Sequence, residues 1–177
     1  STTTLPRFSE IKKPEVLAII NGNGSGSKVF QALLDNHPSL YMIPAYPLMY
    51  FYPHWDEWYR ELKDQWNWSS IISLFCEKHE SIINTQRILG FNGMTTLGPN
   101  QDEHIEIDEE KFKLTLTHLL KEEPIDRRTF ILAVHYAYAL TNNEVLEKKT
   151  LWVYHIHSTE YLTNYMIEDF PETKVIG

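Results

Sequence analysis

The stretch from Val16 to Pro44, V-L-A-I-I-N-G-N-G-S-G-S-K-V-F-Q-A-L-L-D-N-H-P-S-L-Y-M-I-P, decides the fold of this chain. It opens with an apolar run over 16–20, which has the composition of a strand buried on both faces of a parallel sheet. Small residues alternate from Asn21 to Ser27, and Val29, Phe30, Leu33 and Leu34 then fall at helical spacing. The pattern predicts a strand, a glycine loop and a helix over 27–36. Pro38 closes that helix, because the residue before a proline is pushed out of helical geometry. A second strand is expected over 40–43, ended by Pro44 and Pro47. A loop of this kind aims backbone N–H groups from a helix N-terminus, where unpaired donors and the positive end of the dipole favour phosphate or sulfate. Gly22, Gly24 and Gly26 keep Cβ atoms away, and Ser25 and Ser27 add hydroxyls, so the stretch reads as an anion-cradling nucleotide site.

Outward from this stretch, residues 1–14 are polar, carry two prolines, and read as a lead-in arm to a single domain over 15–177. Tyr46 to Trp68 holds a dense set of aromatic residues, read as a helical segment packing on the sheet, or else as a wall of an acceptor pocket or a partner surface. Further helices are expected over 69–78, capped within Trp68-Ser69-Ser70, and over 81–93. A surface loop is expected over 95–106. Asp108 followed by Glu109 and Glu110 marks the start of a helix to about residue 121, and another spans 126–140. A third strand over 151–157, a helix over 158–170 and a fourth strand from Lys174 complete the order. Strands linked by helical crossovers imply an α/β fold, a parallel sheet flanked by helices. A chain that stops on a nascent strand is expected to be incomplete at its C-terminus.

The bulk composition narrows the function classes. A chain of 177 residues can bury a real core, and a formal charge of -8 with no basic stripe speaks against a nucleic-acid surface. No apolar run approaches the roughly 20 residues of a membrane span, and residues 1–13 have no signal-peptide core, so a cytoplasmic location is expected. The single cysteine, Cys76, cannot form an internal disulfide and agrees with a reducing compartment. The acidic residues around 102–110 read as a solvated face rather than a metal site, and His135 reads as a core or surface histidine rather than a ligand.

Three templates compete for Asn21 to Lys28. A dinucleotide fingerprint needs G-x-G-x-x-G, whereas Gly22, Gly24 and Gly26 alternate. The P-loop pattern laid from Gly22 puts Lys28 at the lysine, but Ser27 stands at its second glycine and Val29 at the hydroxyl residue that would reach magnesium. The third fits a longer span: loop S-G-S at 25–27, Leu33-Leu34, His37-Pro38 and the strand Y-M-I-P resemble the opening of the sulfotransferases that use 3′-phosphoadenosine 5′-phosphosulfate. Ile107-Asp108 with Phe112 is similar to that family's middle helix start. Tyr161-Leu162 with Phe170-Pro171-Glu172-Thr173-Lys174-Val175-Ile176 is similar to its later f-P-x-x-K-[VI]-I segment.

The resemblance implies a P-loop-like, nucleotide-binding α/β domain that moves a sulfuryl group from that donor to a hydroxyl or amine of a small-molecule or glycan acceptor. It implies a donor site at Asn23, Gly24, Ser25, Gly26, Ser27 and Lys28, with no metal. The family's loop lysine or arginine falls on Gly24, so Lys28 is the candidate for the missing charge. The family's R-D-P-like segment for the 3′-phosphate would begin beyond Gly177. His157, in His155-Ile156-His157, lies over the family's catalytic histidine and is the candidate general base, since an imidazole of ordinary pKa about 6.5 accepts a proton near neutrality. Two alternatives remain open: a non-catalytic nucleotide-binding or interaction module of the same fold, and a P-loop phosphotransferase. For the histidine pair, a structural strand end and an H-x-H metal site also remain open.

Overall fold

Four strands form one parallel sheet: β1 (Glu15–Asn21), β2 (Leu40–Tyr41), β3 (Leu151–His157) and β4 (Lys174–Ile176), in the order β2-β3-β1-β4. The computed structural model describes residues 4–21, 33–34, 37–43, 47–87, 100, 102–157 and 160–176, with backbone only at 21, 47–53, 155–157 and 160–163. Six helices of four or more residues lie among them: α1 (Pro47–Leu62), α2 (Trp68–Lys78), α3 (Glu80–Ile83), α4 (Glu109–Leu120), α5 (Arg127–Thr141) and α6 (Glu160–Asp169). The parallel α/β class expected from the sequence is the class observed.

The central pair is β1 with β3, in register from Glu15↔Leu151 to Asn21↔His157. Val16 and Ala18 on one face of β1 and Ile19 on the other are buried, in keeping with the unbroken apolar run. The sheet is narrower at its edges than the sequence suggests. β2 is two residues long, because only Leu40 and Tyr41 find partners, on Leu151 and Trp152. β4 pairs over three residues and is exposed throughout.

Helix α5 is the hub of the core. Residues 129–139 are all buried, which is the mark of a helix surrounded on every side rather than amphipathic. Asp126 starts it, accepting from the Thr129 N–H at 2.8 Å and the Thr129 hydroxyl at 2.7 Å. Asp108 caps α4 through the Lys111 N–H at 2.9 Å, as expected. The cap of α2 is Asn67, one residue before the segment expected to supply it, with Oδ1 accepting from the Ser70 N–H at 3.0 Å.

Two further expectations change. The helix predicted over 81–93 is the short α3 followed by a 3-10 turn at Thr85–Arg87, and residues beyond 87 fall outside those described. The end of the predicted surface loop is tied into the body. Thr85 and Ile105 exchange bonds at 3.0 Å, the Ile107 N–H reaches the Ile83 carbonyl at 2.9 Å, and Ile107 is buried. The lead-in arm is also docked: Ile11 joins the core, and the Phe8 ring lies 5.6 Å from that of Tyr136.

Candidate functional site at the carboxyl edge of the sheet

The sheet topology singles out one crevice. From β1 the chain crosses over β3 to reach β2, and from β3 it crosses over β1 to reach β4. Two adjacent strands therefore send their connections in opposite directions. In open α/β sheets ligands bind at such a switch point, outside the carboxyl ends of the strands, where the diverging connections leave room.

The residues at this point are Asn21 and His157, the last of β1 and β3 and Cα partners of one another. Neighbouring strands lie about 4.8 Å apart, so the backbone entering the glycine loop runs directly beside the end of the H-x-H strand. The candidate donor residues Asn23, Gly24, Ser25, Gly26, Ser27 and Lys28 themselves lie outside the described residues. His157 is placed by its backbone only. The structure brings the stem of the loop and the candidate base to one edge, and helix α6 leaves from the same edge immediately after β3.

The His37-Pro38 element of the resemblance lies elsewhere. β2 begins at Leu40, paired with the first residue of β3, so His37 and Pro38 sit at the amino edge, about 20 Å from His157 at roughly 3.3 Å per residue. There they build a turn. The Leu40 N–H donates to the His37 carbonyl at 3.1 Å, and the Ser39 N–H to His37 Nδ1 at 3.2 Å. The Ser39 carbonyl accepts from the N–H groups of Thr150 and Leu151 at 2.9 and 3.3 Å. Lys149, only 4 % exposed, closes the arrangement. Its ammonium donates to the Leu40 carbonyl at 2.8 Å and to Glu144 Oε1 at 3.0 Å, and lies 5.6 Å from the centre of the Tyr41 ring. The sequence did not single out Lys149, because the adjacent pair Lys148-Lys149 reads as solvated charge.

His135 has a structural position. Its Nδ1–H donates to the Ile131 carbonyl at 2.7 Å, and its Nε2 accepts from Trp152 Nε1–H at 2.9 Å, which fixes a neutral ring with the proton on Nδ1. Burial lowers its pKa to about 4. His79 is buried against Trp58 and Phe75, and burial, with a smaller effect from His54, lowers it to about 3. Cys76 is buried, and loss of solvent pushes its thiol up to about 12.

Part of the aromatic segment belongs to the core; Tyr46, Tyr50, Phe51 and Tyr52 lie outside the residues whose side chains are described. Trp55 and Trp58 are buried; Trp55 packs against Trp66 and Phe130 at 5.0 and 5.7 Å, and Trp58 against Phe75 at 6.1 Å. Among the described residues of the segment Tyr59 is exposed, standing edge-on to Trp66 at 5.1 Å. In the acidic region, Asp108 is used as a helix cap. Glu109 is held by Lys113 at 2.7 Å and Arg87 at 3.5 Å, and its carboxyl lies below the usual range through the Lys113 bond first. No group of three or more metal-ligating side chains gathers among the described residues. No helix among them is long and apolar enough to cross a membrane. Compared with protein-family models, with curated proteins and with solved structures, the chain finds no match.

Proposed function

We propose that the chain is a sulfotransferase-like protein that binds 3′-phosphoadenosine 5′-phosphosulfate at its glycine loop and passes the sulfuryl group to a hydroxyl or amine of a small-molecule or glycan acceptor. The observation that carries this reading is the register Asn21↔His157 at the switch point of the sheet. Two segments chosen from the sequence for separate chemical reasons, a phosphate-type loop and a base-type histidine, begin and end side by side.

In this reading the N–H groups of residues 23–28 and the Lys28 ammonium hold the 5′-phosphosulfate. They stabilise the charge that develops on the bisphosphate as it departs, and electrostatic help of this kind commonly contributes more to catalysis than any other single effect. His157 takes the acceptor proton as the new bond to sulfur forms. A neutral imidazole needs no metal for this role.

Gly24 favours a second reading. A residue without a side chain stands where the resembling family has its cation, which suits a module that binds nucleotide and does not turn it over. Calorimetry with adenosine 3′,5′-bisphosphate, on a chain extended past Gly177 through the segment expected to hold the 3′-phosphate, tests the shared part. Heat of binding, weakened at least about tenfold in Lys28→Ala, is expected for loss of a charged contact. The absence of heat at millimolar ligand overturns both readings. Release of free bisphosphate from the donor in the presence of an acceptor panel separates the enzyme from the module. Magnesium-dependent binding of ATP that vanishes in Lys28→Ala would instead support a phosphotransferase.

A further inference from the structure

Behind β2, two tyrosine hydroxyls are closed off from solvent. Tyr41, on β2, is 2 % exposed and Tyr136, on α5, is fully buried. Their rings lie 5.2 Å apart with planes at 57°, and the Phe8 ring of the arm packs on Tyr136. Neither hydroxyl has a hydrogen-bond partner among the described residues. Buried polar groups in folded proteins are bonded in roughly nine cases out of ten, so two orphaned hydroxyls on touching rings require a shared explanation.

The surroundings define what could satisfy them. Burial raises the pKa of both phenols, so each is a neutral O–H that can donate one bond and accept others. The charges that act on the pair are of both signs, Arg128 on Tyr136 and Glu147 and Glu144 on Tyr41, and the cations are engaged elsewhere: Lys149 is directed to the Leu40 carbonyl and Glu144, and Arg128 to Asp169 and Glu172. A small, uncharged guest with both donor and acceptor capacity fits, and water is the molecule of that class which internal polar sites ordinarily hold.

We propose that Tyr41 and Tyr136 form an internal binding site for a water molecule, roofed by Phe8, which bonds both hydroxyls. The site ties β2 to the hub helix α5. That link matters because β2 has only two paired residues in the sheet and is the return strand of the unit that carries the glycine loop. The inference does not depend on what the loop binds.

A double-mutant cycle in urea unfolding tests it. Tyr41→Phe and Tyr136→Phe each leave the shared water short of a partner beside the remaining hydroxyl and are expected to lower the folding equilibrium constant about tenfold. The double variant removes both polar groups and is expected to return to within about threefold of the wild-type constant. Single substitutions that are neutral or stabilising, or effects that simply add, would overturn the proposal. A second measurement uses the unaltered chain: NMR cross-relaxation from water to the ring protons beside the hydroxyls of Tyr41 and Tyr136. Transfer is expected, and its absence overturns a water site even if the hydroxyls prove coupled.

Discussion

At the scale of single residues, His135 shows how a histidine can be excluded from chemistry by its partners. Both ring nitrogens are used, one donating to Ile131 and one accepting from Trp152, and a second ring proton would meet the indole N–H head-on. Its folded pKa of about 4 lies below the ordinary 6.5, so the unfolded chain binds the extra proton first. The stability it confers is present above pH 6.5 and lost as pH falls toward 4. The expected outcome is a falling urea midpoint over that interval, worth about 3 kcal/mol, with a shallower slope in His135→Gln. His79 adds a further loss in the same direction at still lower pH, since it too is lowered by burial. Cys76 gives a separate test. With its thiol pushed up to about 12 inside the core, a thiol-specific disulfide reagent should react with it no faster than the protein unfolds. Rapid modification in native buffer would contradict its burial.

At the scale of elements, the end of α6 is locked to the start of α5. Arg127 reaches Asp169 through two bonds at 3.0 Å, pairs with Glu168 at 3.0 Å, and lies 4.3 Å over the Tyr165 ring. Arg128 donates to the Asp169 carbonyl at 2.7 Å, so a terminal carbonyl of α6 is capped by a side chain from another helix. Arg127 and Asp169 are about one-seventh exposed, whereas Lys174 and Glu15, a pair at 3.4 Å, are about two-thirds exposed. Asp169→Asn is therefore expected to cost about 2 kcal/mol, because it leaves a largely buried guanidinium short of a charge partner. Lys174→Ala should stay within about 0.5 kcal/mol in the same denaturation assay. Caps supply an independent check: Asp126→Ala, which frees both the Thr129 N–H and its hydroxyl, should cost about 1–2 kcal/mol, toward the upper end of the range for caps.

At the scale of the whole molecule, the legible part of the fold was the part written in local patterns. The apolar runs of β1 and β3 and the Asp108 cap follow from residues close in sequence. What the sequence could not supply was pairing. Nothing local in Leu40 to Ile43 says that only two residues will find a partner, and nothing in Lys148-Lys149 says that the second cation will be buried under β2. The same limit applied to the candidate site. The loop and the H-x-H strand were separately visible, but their adjacency is a property of the strand order. It predicts where a ligand is felt. Saturating adenosine 3′,5′-bisphosphate should slow amide exchange at the ends of β1 and β3, near residues 20–21 and 156–157, and leave the turn at 37–40 unchanged. Protection confined to 37–40 would move the site to the opposite edge.

The register of the central strands also governs how the chain comes together in time. Asn21 and His157 are partners although over a hundred residues separate them in sequence, and every pair along β1 and β3 is similarly remote. Closing so long a loop costs entropy before any contact repays it, and proteins built on such pairings fold slowly. During synthesis β1 emerges early and must wait, with its apolar run unpaired, until β3 has left the ribosome. The helices between them, and α5 above all, supply the local contacts that can form in the interval. A nascent chain stalled before Leu151 is thus expected to hold helices without a sheet, and to expose a strand that the finished molecule pairs on both edges.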